Sequence, residues 1–296
     1  MPDSSAAMAS HSRVPLPSRA LGWLRSRTPA TQAAIAILFL YALVGIFGPF
    51  IAPYPPTAFD MMVPLKPPSW DHLFGTDGFG RDVFSRVVAG TGTILVLSIG
   101  ATAWGVGVGS ALGLASGFRG GRPDEFVMRG MDVLMALPTL LLALLILTWL
   151  GSTKPNLVFA IGLVFIPKSA RVARSAVLAL RKLGYIEAAK LRGDHVARIL
   201  LFEVLPNARD VVGVEFCLRF AYSLLLISSL GFLGIGVQPP EPDWGQMISE
   251  GRNFITLAWW IVMFPALAIG LLVVAVNLLA DGLWQDRTRL QSARIL

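Results

Sequence analysis

The chain has 296 residues, of which 54% are hydrophobic and 15% charged, with a single cysteine and a formal net charge of +7. With a mean hydropathy of +0.65, this composition excludes an ordinary soluble domain. One cysteine excludes an internal disulfide framework or a cysteine-based metal site, and the positive balance fits basic residues gathered beside membrane spans better than a nucleic-acid surface.

Residues 1–30 are rich in Ser, Ala and Arg and read as a cytoplasmic N-terminal tail. The first apolar span, about Gln32 to Ile51, is long enough for a bilayer. It runs into Ala52-Pro53-Tyr54-Pro55-Pro56 rather than a small-residue cleavage site, so it is a retained helix. In the polar connection that follows, Thr76 or Asp77 can cap a helix, Asp77 and Arg81 stand one turn apart, and Asp82 precedes an apolar face of Val83, Phe84, Val87 and Val88. This predicts an amphipathic helix in the interface, so that residues 31–90 comprise the first span, an external loop and that helix.

The remaining spans and their loops, residues 91–284, form a five-helix core. The second span, about Thr93 to Ser116, carries Gly105, Gly109 and Gly113 at four-residue intervals, continued by Gly117, a shallow groove into which another helix can pack. The third, about Met131 to Leu150, has Pro138 near its start and is expected to face lipid or neighbouring helices. The fourth has its apolar part at about Leu157 to Ala170, with Pro167 able to kink it; past Pro167 the pattern stays helical while Lys168, Arg171, Arg174, Arg181 and Lys182 appear, so its helix emerges into the cytoplasm. Residues 183–206 then form a polar helix-turn-helix containing Tyr185, Glu187, Ala188, Ala189, Leu191 and Gly193. Ala188 and Ala189 allow close approach of another surface, Gly193 suits the left-handed helix end, and Asp194 suits the next N-cap.

The fifth span, about Val211 to Val237, contains Glu215 and Arg219 one turn apart. A lone charge at the membrane centre costs about 2.5–3.5 kcal/mol on insertion scales, so a mutually neutralising structural pair is favoured over a substrate site. Ser228 and Ser229 lie further along the same span. Pro239, Pro240 and Pro242 predict an extended external loop, with Trp244 at the membrane interface. The sixth span is about Leu257 to Ala280, and residues 285–296 form a cytoplasmic tail. His11, His72 and His195 are far apart without ligand-spaced partners, and the spans hold no nucleophile–base constellation, so neither a metal site nor an enzyme is indicated. An all-α membrane protein of six transmembrane helices follows, with both ends on one side. Lys and Arg concentrate in both tails, the second loop and the 183–206 loop, which the positive-inside rule places in the cytoplasm.

Glu-Ala-Ala, three residues, Gly, and a Leu-Pro about a dozen residues later resemble the loop by which permease subunits of ABC importers meet their ATPases. Gly-Thr-Asp, two residues, Gly-Arg-Asp from Gly75, and Phe-Leu-Gly through Gln-Pro-Pro to Trp244-Gly245, resemble signatures of dipeptide, oligopeptide and nickel importers, as does Asn277 to Leu283. The chain is therefore similar, over about Gln32 to Leu283, to the second (C-type) permease of such an importer. The resemblance implies the type I importer permease fold in the bacterial inner membrane, a heterodimer with a second homologous permease, and an extracytoplasmic substrate-binding protein. It also implies two ATP-binding subunits that carry ATP and Mg, since this chain has no Gly-Lys-Ser/Thr phosphate loop. Ile227-Ser228-Ser229-Leu230 stands where relatives often carry an acidic residue, so peptides, nickel complexes, opines and glycosides all remain open as cargo. The rival reading is an ATP-independent secondary transporter or channel, for which Glu215 with Arg219 is the candidate site.

Overall fold

The computed structural model describes residues 28–295, with side chains through residue 284. The N-terminal tail, His11 included, lies outside this range apart from its last three residues. Among the described residues the architecture is helical, with one isolated antiparallel bridge between Thr76 and Asp82. Five helices are long and apolar enough to cross a membrane, and six if a bent pair counts as one span.

Helix α1 is Pro29–Ile51, capped by the Thr28 side chain on Thr31 N. Helix α2 is Val83–Arg119, a single 37-residue element. The expected separate interfacial helix is the first two turns of α2, which runs unbroken through residues 90–91. The cap also differs from expectation: Asp82, not Thr76 or Asp77, accepts from Ser85 N at 2.8 Å. Gly75 and Gly80 take left-handed φ of 73° and 71°, and Asp77 Oδ1 accepts from Phe79 N and Arg81 N at 2.9 and 3.0 Å. Asp77 therefore closes a tight turn upstream of the helix.

The expected third span is broken. Helices α3 (Gly121–Met135) and α4 (Thr139–Leu150) meet at 86°. Pro138 lacks an N–H and takes the extended backbone of the α4 N-cap rather than continuing the helix from Met135, and α3 carries Arg122, Arg129 and Asp132 exposed, with Asp124 buried. Arg174 clamps Asp124 at 2.6 Å and Arg171 pairs with Asp132, which holds α3 against α5.

Helix α5 is Lys154–Leu180, continuous across Pro167. Helix α6 is Gly184–Leu191, and α7 (Val196–Arg198) passes through a π-helical stretch, Ile199–Val204, into α8 (Leu205–Phe232). Helix α9 is Trp244–Gly251, and α10 runs Trp260–Ile295, through the stretch expected to be a tail. The main core joins α2, α4, α5, α8, α9 and α10. Its tightest seam is α2 on α5: a Cβ at Gly105 would lie 2.5 Å from Gly162 O, and one at Gly109 would lie 2.6 Å from Ile166 O. The glycine groove thus receives α5 of the same chain, with Ala170 opposite Gly113.

Candidate functional site

Two polar regions stand out at opposite ends of the bundle. At the inner end, α6 rests on a small second core. Ile186 and Ala189 are fully buried with Leu114 and Phe118 of α2, Ala173 and Val177 of α5, and Ile199 and Val204 of the approach to α8. Tyr185, Glu187, Ala188 and Leu191 occupy the outward positions of the same turns, and Leu191 is 89% exposed. Lys190 Nζ lies 4.7 Å from the Phe118 ring centroid, and Arg181 donates to Gly117 O at 2.9 Å, so the end of α5 and the loop helix α6 both grip the end of α2.

The end of α6 is a Schellman turn. Gly193 N donates to Lys190 O at 3.0 Å and Asp194 N to Ala189 O at 3.2 Å, with Gly193 at φ 78°. Asp194 is not the next N-cap: His195 holds that position, and the Asp194 carboxylate instead pairs with Arg192 at 3.0 Å and Arg198 at 3.8 Å. Arg192, Asp194, Arg198, Ile199, Phe202 and Glu203 line a recess of about 290 Å3 beside it. Burial, and the nearby Glu203 carboxylate, push the Tyr185 phenol up.

Within the bundle, Glu215 is buried, and its Oε1 accepts from Arg219 Nε at 2.7 Å and from Ser169 Oγ of α5 at 3.0 Å. This carboxylate is charge-paired and hydrogen-bonded between α5 and α8. Ser229 is half-buried and donates to Leu225 O, whereas Ser228 Oγ is buried without a protein partner, beside a recess of about 350 Å3 lined by Leu140, Leu225, Phe232 and Ile248.

At the outer end, Asp77 Oδ2 accepts from Arg81 Nε at 2.6 Å and Arg86 Nη1 at 2.5 Å, and Glu250 Oε2 of α9 accepts from the same two guanidinium groups at 2.6 and 3.3 Å. Two cations and two anions thus tie α2 to α9. Arg81 also lies over the Phe79 ring at 4.7 Å. Thr76 Oγ1 donates to Val63 O and accepts from Lys66 N, and Asp82 Oδ1 meets His72 Nδ1 at 3.0 Å. Pro239 and Pro240, joined by a cis peptide, lead to Asp243, the N-cap of α9, whose carboxyl is pushed up to about 6 by burial.

Trp244 is a correction. It is 1% exposed and donates from Nε1 to Val87 O at 3.0 Å, so it is a core residue and not an interfacial anchor. The loop after α8 folds back over the bundle, bringing Gly245 against Ser228 O and burying the indole. Glu250, Arg86, Asp243 and the clamps Asp124–Arg174 and Arg171–Asp132 were not among the residues singled out from sequence. Arg86 stands nine residues from Asp77, outside the i, i+3 and i, i+4 spacings, and the pairs that involve Glu250, Asp124 and Asp132 lie 39 to 169 residues apart, so no local spacing signals them. Among the described residues, no group of three or more His, Cys, Asp or Glu is placed to hold a metal ion.

The family model of the binding-protein-dependent transport system inner membrane component matches residues 109–285. The chain belongs to this family. The permease is 37% identical to a probable D,D-dipeptide transport system permease protein of Escherichia coli K12, over 89% of this chain and 88% of that one. It is 39% identical to a di/tripeptide transport system permease protein of Pseudomonas aeruginosa, over 83% and 84%. It is 38% identical to a glutathione transport system permease protein of Pectobacterium atrosepticum, over 86% and 84%. It is thus a C-type ABC importer permease, a multi-pass inner-membrane subunit that works with a substrate-binding protein and separate ATPase subunits. Membership disfavours the secondary-transporter reading.

Proposed function

We propose that the permease carries short peptides, that it pairs with a second homologous permease, and that two ATP-binding subunits, holding ATP and Mg, dock against Tyr185–Gly193. The relatives named for dipeptide, di/tripeptide and glutathione transport support the cargo class.

The observation that carries the coupling role is the two-sidedness of α6. Its inward residues, Ile186 and Ala189, share one core with α2, α5 and the start of α8, while its outward residues are free of that core. A push on the outward face therefore reaches three elements without an intervening loop, and closure of the ATPases would tilt them together. Glu215 and Arg219 act in this reading as a neutral strut between α5 and α8, and Ser228 and Ser229 face the pathway side.

Gly193 supplies the test. No atom lies within 4 Å of a Cβ built there, yet φ is 78°, so a side chain meets only backbone strain, of about 1 kcal/mol or more. In the assembled complex, Gly193→Asp is expected to abolish peptide uptake and binding-protein-stimulated ATP hydrolysis while assembly persists. Gly184→Ala, on the same loop in open space and without a left-handed φ, is expected to leave both intact. Normal stimulation in Gly193→Asp would end the coupling role. Screening the co-isolated binding protein against di- and tripeptides, nickel complexes, opines and glycosides tests the cargo, and failure of every peptide to bind would overturn that part.

A further inference from the structure

A slot of about 380 Å3 opens between α1 and α10 above α2. Ile37, Leu40, Tyr41 and Val44 form one wall, and Phe264, Leu267, Ala268 and Leu271 the other. Both quartets repeat at i, i+3, i+4 and i+7, which gives a slot about 10 Å long at the helical rise of 1.5 Å per residue. Phe74 closes the outer end, stacked on Phe264 at 3.9 Å, and the floor is Val87 with the Trp244 indole, which Tyr41 meets edge-on at 6.3 Å.

Every side-chain polar group lining the slot is already satisfied inside the protein. Tyr41 Oη donates to Ala268 O at 2.8 Å, Thr91 Oγ1 to Val87 O at 2.9 Å, and Trp244 Nε1 to the same carbonyl at 3.0 Å. Water in a cavity needs two to four polar partners, and the slot offers none to spare. An empty slot would leave its lining atoms without dispersion contacts. Its mouth is flanked by Leu40, Leu267 and Leu271, which are half or more exposed, on two helices long and apolar enough to cross a membrane, so its opening faces a level where acyl chains are the apolar solvent at hand.

We propose that the slot holds one acyl chain of an outer-leaflet phospholipid, inserted between α1 and α10 until it abuts Trp244. The chain completes the packing beneath the first residue of α9, so the outer loop is seated partly on lipid.

The test uses the full importer in nanodiscs containing a phospholipid with a photoactivatable diazirine on one acyl chain, followed by peptide mapping. Label is expected on Trp244 and Phe74, although Trp244 is buried from solvent, as well as on exposed Ile46. Val44→Phe, which fills the slot from the α1 side, should remove the Trp244 and Phe74 label and spare Ile46. In a parallel variant, Ile46→Phe, on the outward face of α1, should leave the Trp244 and Phe74 label unchanged. Label confined to outward residues such as Phe39 and Ile46 would overturn the proposal. So would persistence of the Trp244 label in Val44→Phe, or zero-length crosslinking of Tyr41 to the second permease in place of lipid.

Discussion

Asp77 carries more of the outer network than any other single side chain, because two guanidinium groups and two backbone N–H groups converge on it. Its side chain and that of Arg86 are almost wholly buried. Asp77→Asn leaves Arg81 and Arg86 to share Glu250, and loss of one partner from a buried pair costs about 3–5 kcal/mol. Thermal unfolding of the purified complex should register that loss. Glu241→Gln removes the partner of Lys154, an ion pair at 2.5 Å with both side chains 47% exposed, and should change stability by less than about 1 kcal/mol. Equal effects would mean that the outer network is as solvated as a surface pair. Asp243 makes a prediction of opposite sign. Burial raises its folded pKa to about 6, above the unfolded value of about 3.9, so the folded state binds the extra proton. The cost of ionising it is absent below about pH 4 and complete above about pH 6. Between pH 5 and 7 the wild type should therefore lose about 1 kcal/mol relative to Asp243→Asn, which keeps an N-cap oxygen but does not titrate. Parallel stability curves for the two proteins across that range would contradict it.

Helix-scale behaviour is set by where glycines meet backbone. Gly109 faces Ile166 O and Ser169 Cβ at distances no real Cβ tolerates, whereas Gly107, half a turn away, faces open space. Gly109→Ala should separate α2 from α5 and cost about 1–3 kcal/mol, while Gly107→Ala should be neutral or gain up to about 1 kcal/mol from helix propensity. Matched melting curves of the two variants decide it, and equal destabilisation would mean the seam is not the contact it looks to be. The four-residue glycine interval was readable because it creates a groove whatever fills the groove; that α5 fills it was not, since partner choice is a tertiary matter. The left-handed turn at Gly193 was equally local and equally readable. The bend before Pro138 was missed because the apolar run continues past it, and the decisive residues, Arg171 and Arg174, sit on another helix. Trp244 was misread for a related reason. An indole satisfies both an interface and a core, and only the returning loop decides between them.

Across the whole molecule, orientation gives the sharpest check. The basic tails and the 183–206 loop should share one side, with residues 53–82 on the other. In a Cys217→Ser background, Trp70→Cys, at a position 96% exposed, should react with a membrane-impermeant maleimide added outside spheroplasts. Phe126→Cys on α3, 81% exposed, should react only in inverted vesicles. Labelling of both from one side would reverse the topology. The two ends so mapped are joined by α2, at 37 residues about 55 Å long, against a hydrocarbon core of about 30 Å. α1, α5 and α10 each carry an internal proline, and α2 has none. Its outer end is bolted to α9 through Arg86, and its inner end sits under α6 through Leu114 and Phe118. No proline interrupts the helix between those two anchors, so in the coupling proposed above a displacement of one end would be felt at the other in the same stroke, and arrival outside and engagement inside would be two readings of a single position.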